Sequence, residues 1–363
     1  MDIRSLEITA EFLKLITEID EFKGSWKALQ SLSPERLQSL QRVATIESIG
    51  SSTRIEGAKL SDNEVEKLLQ GLQSHSFASR DEEEVVGYAQ AIELVHESYP
   101  DIAISENYIK QLHRELLRYS SKDEPHRGEY KKFPNNVEAF DADGKSIGVV
   151  FETSSPFDTP RKMQELVDWT KSVIDDESYH PLIVTAVFVV TFLAIHPFQD
   201  GNGRLSRILT SLILLKSGYS YFPYSSMESI IERNKENYYL SLRRTQTTLW
   251  TEDTNWTPWL RFFLQSLKRQ KDHLKSKVDM QIEKDFLALP SESQIILDYV
   301  AKHGRINTSK AQELVNIPRP TVRLRLSQLV EKGLLELHGK GRGAFYVKPA
   351  SSLFLTIREF CEE

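Results

Sequence analysis

Residues 181–218 read PLIVTAVFVVTFLAIHPFQDGNGRLSRILTSLILLKSG. Wound as a helix, 181–195 is apolar on nearly every face, the pattern of a helix buried all round at the centre of a core. It falls short of the ~20 apolar residues that a membrane span needs. LSRILTSLILLKSG (205–218) is again apolar at helical spacing and stops at Gly218. Between the two, HPFQDGNGRLSR (196–207) crowds a histidine, an acid, an Asn between two glycines and two arginines into the N-terminus of the second helix.

That position explains the chemistry. Free backbone N–H groups and the helix dipole make a helix N-terminus an anion site. Gly201 and Gly203 let the chain curl until those N–H groups face a phosphate. Asp200 offers an oxygen to a divalent cation. Arg204 and Arg207, three apart, share a helix face and can reach outer phosphates with planar forks. His196, with an ordinary pKa of ~6.5, suits a base that takes a proton near neutral pH. Each part alone has a plain structural reading: a His at a helix end, an Asn-Gly turn, an Arg pair on a solvated face. Together they are the parts for attack of a hydroxyl on a nucleotide phosphate.

The rest of the chain reads mostly as helix. PERLQSLQRVATIES (34–48) starts on Pro34, LSDNEVEKLLQGL (60–72) carries a Ser61–Glu64 capping box, and DEEEVVGYAQAIELVHESY (81–99) opens acidic. SENYIKQLHRELLRYS (105–120) and DTPRKMQELVDWTKSVI (158–174) continue the pattern. In 131–153, two β-favouring segments flank DADGK and predict a β-hairpin. Residues 266–290 are highly charged with sparse apolar positions, a solvated helical linker ended by Pro290. Residues 291–350 then show three helical segments and an alternating LELHGKGRGAFYVKP, as a two-stranded wing would. They hold ten Lys/Arg against five Asp/Glu, about +5, which leaves about -11 elsewhere to reach the chain's -6. The composition, 40% hydrophobic and 27% charged, is that of a folded soluble protein of two or three domains. The single cysteine, Cys361, excludes an intrachain disulfide. The N-terminus lacks a basic-then-apolar leader pattern, so the expected compartment is the cytoplasm, with no membrane partner.

HPFQDGNGRLSR matches the signature of the Fic-domain family, His-Pro-Phe-x-(Asp/Glu)-Gly-Asn-Gly-Arg-x-x-Arg, at every specified position. The hairpin and RNKENYYLSLRR (233–244) extend the resemblance over roughly residues 1–265. Most members transfer AMP from ATP to a Ser, Thr or Tyr hydroxyl of a protein. The resemblance implies His196 as general base, Asp200 holding Mg²⁺ on the phosphates, and Gly201, Asn202 and Gly203 lining the anion hole. It implies Arg204 and Arg207 on the β- and γ-phosphates, Phe198 as a core anchor, and Tyr239 and Gln246 near the adenosine, where Asn is commoner than Gln at the second place. The hairpin resembles the family's flap, which holds a target segment by strand addition. Some relatives use other phosphate donors and a homodimer is common among them; the expected acceptor is a protein hydroxyl, this chain's own included.

SSTRIEG (51–57) resembles the family's inhibitory motif, (Ser/Thr)-x-x-x-Glu-(Gly/Asn), with Ser52, Glu56 and Gly57. Gly57 suits a left-handed helix C-cap, leaving Glu56 in the last turn. Docked on the site, Glu56 would pair with Arg207 and remove the γ-phosphate's partner. In some relatives the same Glu aligns water to remove AMP again. Residues 291–350 resemble a winged helix-turn-helix. Arg319, Arg323 and Arg325 would lie on or beside its third helix, facing a major groove, with Lys340 and Arg342 of the wing on phosphates. Winged helices also serve as protein contacts. A second function class therefore stays open: a DNA-binding transcriptional regulator whose Fic core senses nucleotide. The intact base speaks against it, since a sensor does not need one.

The expected protein is mostly α: an N-terminal helical region with the inhibitory helix (1–100), a Fic core with a small hairpin flap (101–265), the linker (266–290), a winged helix (291–350) and a tail (351–363).

Overall fold

The computed structural model describes residues 3–29, 34–71, 77–135, 137–140 and 146–349. The expected tail 351–363 with Cys361, and the DADGK turn at 141–145, lie outside the described residues. The elements in chain order are α1 (Ala10–Leu29), α2 (Pro34–Ile55), α3 (Asp62–Gln70), α4 (Arg80–Ser98), α5 (Glu106–Leu116), β1 (Val137–Phe140), β2 (Ser146–Phe151), α6 (Thr159–Asp175), α7 (Pro181–Ile195) and α8 (Asn202–Lys216). There follow α9 (Met227–Arg233), α10 (Lys235–Gln246), α11 (Thr257–Leu287), α12 (Ser291–His303), β3 (Arg305–Ile306), α13 (Thr308–Val315), α14 (Arg319–Glu331), β4 (Glu336–His338) and β5 (Phe345–Val347).

The chain forms two compact units. The first takes in the chain up to Lys23 and Ser39–Lys271, the second 24–38 and the chain from Asp272 on. The N-terminal helices and the expected core thus share one unit. Helices α4 and α5, on either side of residue 100, pack against each other.

In the first unit α7 is the central helix, with every residue from Leu182 to Ile195 buried. Pro181 supplies a first-turn residue with no N–H to satisfy, and the His180 side chain accepts the Leu182 N–H at 3.3 Å. At its other end His196 adopts a left-handed conformation (φ 52°), its N–H still donating to Phe192 at 2.8 Å. The chain turns back through the motif loop and enters α8, which packs on both α7 and α4. Burial of α7 and α8 side chains, each worth about 1.5–3 kcal/mol for a Leu, Ile, Val or Phe, fixes where the loop between them sits.

The hairpin forms as predicted, β1 antiparallel to β2, with Val137 opposite Phe151 and Phe140 opposite Ser146. The linker does not stay solvated. One helix, α11, runs through 257–287, and Leu267, Leu274 and Val278 on it are buried at helical spacing. These three fall on one stripe, which a tally of composition averages away, while Met280 on the same helix is exposed.

In the second unit, Ile296, Leu297 and Val300 of α12 join Ala311, Val322, Leu326 and Leu329 in a core of their own. The wing has a third strand: β5 lies between β4 and β3, with Arg305 opposite Val347. Two residues, Arg305–Ile306, are too short to carry a visible alternation.

Gly87 sets the closest approach in the frame. A Cβ there would run into the Leu116 carbonyl at the end of α5. Glycine in mid-helix costs about 0.5–1 kcal/mol against alanine, so only packing explains it. Gly87→Ala should lower stability by about 2–3 kcal/mol as α4 and α5 separate, read as a lower urea midpoint with an unchanged m-value.

Candidate active site

The N-terminus of α8 carries no side-chain cap, so its first N–H groups are open to an anion. The loop leading into it is braced from within. Asn202 Oδ1 accepts the Phe198 N–H at 2.9 Å and its Nδ2 donates to the Phe198 carbonyl at 2.7 Å. The Asn202 side chain therefore closes the loop, leaving only its backbone to line an anion hole. Phe198 is fully buried and stacks on His113, ring centroids 3.8 Å apart.

His113 is a site residue that sequence reasoning missed. Its Nδ1 accepts the Gly128 N–H at 2.8 Å, so the proton sits on Nε2, which donates to the Asp200 carbonyl at 3.0 Å. Burial keeps this ring neutral, its pKa lowered to about 4. The signal was present as a lone His on the apolar face of LHRELL (112–117).

His196 Nδ1 lies 3.3 Å from the Leu193 carbonyl, which can only accept, so Nδ1 carries the proton and Nε2 keeps its lone pair. Burial first, and then the Lys131 charge, lower its pKa to about 4. The ring is an unprotonated base at neutral pH.

Four charges meet beside it. Asp200 Oδ1 accepts the Gly201 N–H at 2.5 Å and Arg204 Nη2 at 3.1 Å, and Oδ2 accepts Arg80 Nη2 at 3.1 Å. Glu84 forms an ion pair with Arg204 (Oε2–Nη1 2.9 Å) and accepts Arg80 Nε at 2.7 Å. Burial alone would raise the Asp200 pKa, but Arg204, the Gly201 N–H and Arg80 outweigh it and hold the carboxyl below its usual range. Arg80 and Glu84 were hidden in an acidic run that reads only as a helix start.

Arg207 points to another set of partners. Its Nη2 donates to Glu56 Oε1 at 2.8 Å and to the Ser52 carbonyl at 2.9 Å, and its Nε to Ser52 Oγ at 2.7 Å. Burial would lower its pKa, yet the Glu56 carboxylate raises it above the ordinary arginine value. Glu56 lies one residue past the end of α2, in a turn closed by its own N–H and that of Ala58 on the Thr53 carbonyl, with Gly57 at φ 110°. Its carboxylate sits so close to Gly203 that a Cβ there would collide with it. The acid thus occupies the mouth of the α8 N-terminus, where an anion belongs.

Two further expected residues stand apart. Tyr239 on α10 is 42% exposed, while Gln246 is buried with its amide 3.5 Å from the Val190 carbonyl of α7. In the second unit Arg319 and Arg323 are exposed on α14 and Lys340 is exposed in the wing. Arg325 is half-buried and donates to Gln328 at 3.2 Å, off the exposed face; the Arg342 side chain lies outside the described residues.

The arrangement is a helix N-terminus with a neutral histidine, a carboxylate and two buried arginines, the parts of a phosphate-handling site. Residues 103–214 match the model of the Fic/DOC family, and residues 293–344 that of the DeoR-like helix-turn-helix domain. The chain carries a Fic/DOC family domain followed by a helix-turn-helix domain. Among proteins, it is similar to the protein adenylyltransferase Fic of Drosophila mojavensis (28% identity over 58% of this chain and 40% of that protein). It also resembles a probable protein adenylyltransferase of Aquifex aeolicus (29% identity over 28% of each). The matches span less than half the length of these relatives. Among solved structures, a Fic family protein from Desulfovibrio desulfuricans shares the fold over 96% of this chain and 99% of its own, with a TM-score of 0.59 and 23% identity. A Fic domain containing signaling protein from Bacteroides thetaiotaomicron matches over 72% of this chain and 97% of its own (TM-score 0.58, 25% identity). Among the described residues no helix is long and apolar enough to cross a membrane.

The neutral His113 has a pH consequence. The unfolded chain takes up its proton near 6.5 and the native state only near 4. Stability is therefore full above pH 6.5 and is lost as pH falls toward 4, by about 1.4 kcal/mol per unit for this group. Urea midpoints between pH 6.5 and 4.5 should show a slope shallower by about that amount in His113→Gln.

Proposed function

We propose that the chain is a protein adenylyltransferase, moving AMP from ATP to a hydroxyl side chain of a protein, and that Glu56 holds it in a low-activity state. The observation that carries the reading is the Arg207–Glu56 pair at the N-terminus of α8. The name borne by the relatives supports the reaction class. Donors are left over for phosphate oxygens: Arg204 Nε and Arg207 Nη1 are buried without a hydrogen-bond partner among the described residues. Buried unpaired donors cost about 1–3 kcal/mol each, which an anionic ligand would recover.

In the reaction the acceptor hydroxyl oxygen attacks the α-phosphorus of ATP. A new P–O bond forms as the α–β bond breaks, pyrophosphate leaves, and the hydroxyl proton passes to His196 Nε2. The residues also fit Mg²⁺. No cluster of three or more His, Cys, Asp or Glu among the described residues would hold a metal alone, and Mg²⁺ on phosphates needs only one or two carboxylates. Asp200 would supply that oxygen once Arg80, its side chain 46% exposed, swings off it. Bound there, Mg²⁺ would neutralise charge on the phosphates. The acceptor is any protein presenting a Ser, Thr or Tyr hydroxyl, a second copy of this chain included.

The Glu56 side chain is 30% exposed, so breaking its pair costs less than the ~3–5 kcal/mol of a fully buried one. Even about 1.4 kcal/mol is tenfold in rate. Label transfer from α-³²P-ATP with Mg²⁺ should rise at least about tenfold in Glu56→Gly. It should fall back by roughly 10²–10⁴-fold when His196→Ala is added. No label on the protein or on lysate proteins in Glu56→Gly would overturn the reading. Because His196 is held neutral, the acid limb of the Glu56→Gly rate profile should lie below pH 6.5, toward its pKa of about 4.

For the second unit, exposed Arg319, Arg323 and Lys340 support DNA as a partner. Removing the wing's ammonium in Lys340→Ala should reduce the slope of log affinity against log salt by about 1, measured with duplex DNA by fluorescence anisotropy.

A further inference from the structure

Lys131 is a lysine with almost no water. It is 3% exposed, and its three ammonium protons have three acceptors: Asn135 Oδ1 at 2.8 Å, Thr153 Oγ1 at 2.8 Å and the Ile195 carbonyl at 3.1 Å. Its backbone N–H donates to the Pro197 carbonyl at 2.8 Å. Asn135 extends the net, its Nδ2 reaching the Phe198 carbonyl at 2.6 Å and the His196 carbonyl at 3.4 Å. Thr153 Oγ1 also donates to Asn135 Oδ1 at 3.1 Å.

The placement of these residues gives the net its meaning. Lys131 and Asn135 lie just before β1 and Thr153 just after β2, so both stems of the hairpin are gripped. The other ends of the bonds are the carbonyls of four consecutive residues, Ile195 to Phe198, which are the backbone of the His196 loop. A buried ammonium is costly unless every proton is paired. The net therefore tolerates little movement of either side. A lysine kept only for folding has no need to bind two strand stems to one loop.

We propose that Lys131 is a positioning residue that clamps the β1–β2 hairpin to the His196 loop, fixing the strand edge that receives an acceptor segment against the base that takes its proton. The activity part of this rests on the adenylyltransferase reading; the clamp itself does not. Transfer needs the acceptor oxygen, the α-phosphorus and His196 Nε2 in line, and a misplacement of about 1 Å can cost about 10²-fold. The clamp acts on the acceptor side alone, because Lys131 and Asn135 touch none of the groups that would hold the triphosphate.

The test uses the full chain carrying Glu56→Gly, with Lys131→Met, Lys131→Arg or Asn135→Ala added. Three quantities are measured: hydrogen exchange of the 137–140 and 146–151 amides, binding of a fluorescent ATP analogue, and self-labelling from α-³²P-ATP. In Lys131→Met and Asn135→Ala the hairpin amides should exchange at least about tenfold faster. Self-labelling should fall by about 30- to 100-fold while affinity for the analogue stays within about twofold. Lys131→Arg, which keeps the charge and the donors, should restore exchange and return labelling to within about threefold of the parent. Asn135→Ala decides the matter if Lys131→Met does not fold, since it leaves the ammonium in place. Parental exchange and labelling in a folded variant would overturn the clamp. So would a loss of nucleotide affinity in step with labelling, which would make Lys131 part of the nucleotide site. A parent that does not label at all would sink the adenylyltransferase reading, and the exchange data would still judge the clamp.

Discussion

Two buried guanidiniums on one turn of a helix must each find an anion. Arg204 and Arg207 enter the core in the first two turns of α8, 2% and 4% exposed, and a bare cation at that depth would cost several kcal/mol. The chain answers with its own carboxylates. Arg204 takes Glu84 and Asp200, and Arg207 takes Glu56 together with both oxygens of Ser52. Much of the architecture of the first unit serves these pairings. They determine where α4 and the end of α2 must lie, and they explain why position 203 has no side chain.

Under the proposed function, the same constraint makes the site a competition. Carboxylates and phosphates are alternative partners for one set of donors, and the uncapped N-terminus of α8 favours any anion placed there. A carboxylate at the mouth is the cheaper occupant when no nucleotide is bound, because it is already tethered by α2. On that proposed function, the lock and the binding site are one structure seen with two different anions. His113 and Lys131 belong to the frame around that structure. One stacks under the motif loop and holds the Asp200 carbonyl, and the other ties the loop to the hairpin.

Much of this was legible in the sequence. The all-apolar run 181–195 marked the central helix, the polar stretch after it marked a helix N-terminus, and SSTRIEG stood ready to supply an acid. The helix boundaries followed from caps and prolines, although α2 runs on to Ile55 and α11 crosses the position where a solvated linker was expected. These features depend on neighbours three or four residues apart, so a linear reading finds them.

Apart from the Glu56–Arg207 pair, the partners did not follow. Glu84 sits in DEEEVV, where a row of acids suits a helix start, yet it faces Arg204 on a helix far along the chain. Arg80 reaches Asp200 and His113 reaches the Asp200 carbonyl across similar gaps. Lys131 and Asn135 are ordinary residues of a loop until the fold sets them against Ile195–Phe198. Arg207 meets Glu56, as the inhibitory motif leads one to expect, whereas Arg204, expected on phosphate alone, is paired with Glu84 and Asp200. Which chemistry is available, and on which helix end it stands, can be read from the linear chain, because backbone hydrogen bonding and short-range spacing decide both. That Glu84 meets Arg204, and that Lys131 holds the His196 loop, could come only from the folded chain, because those choices are made by burial, and burial is a property of the whole fold.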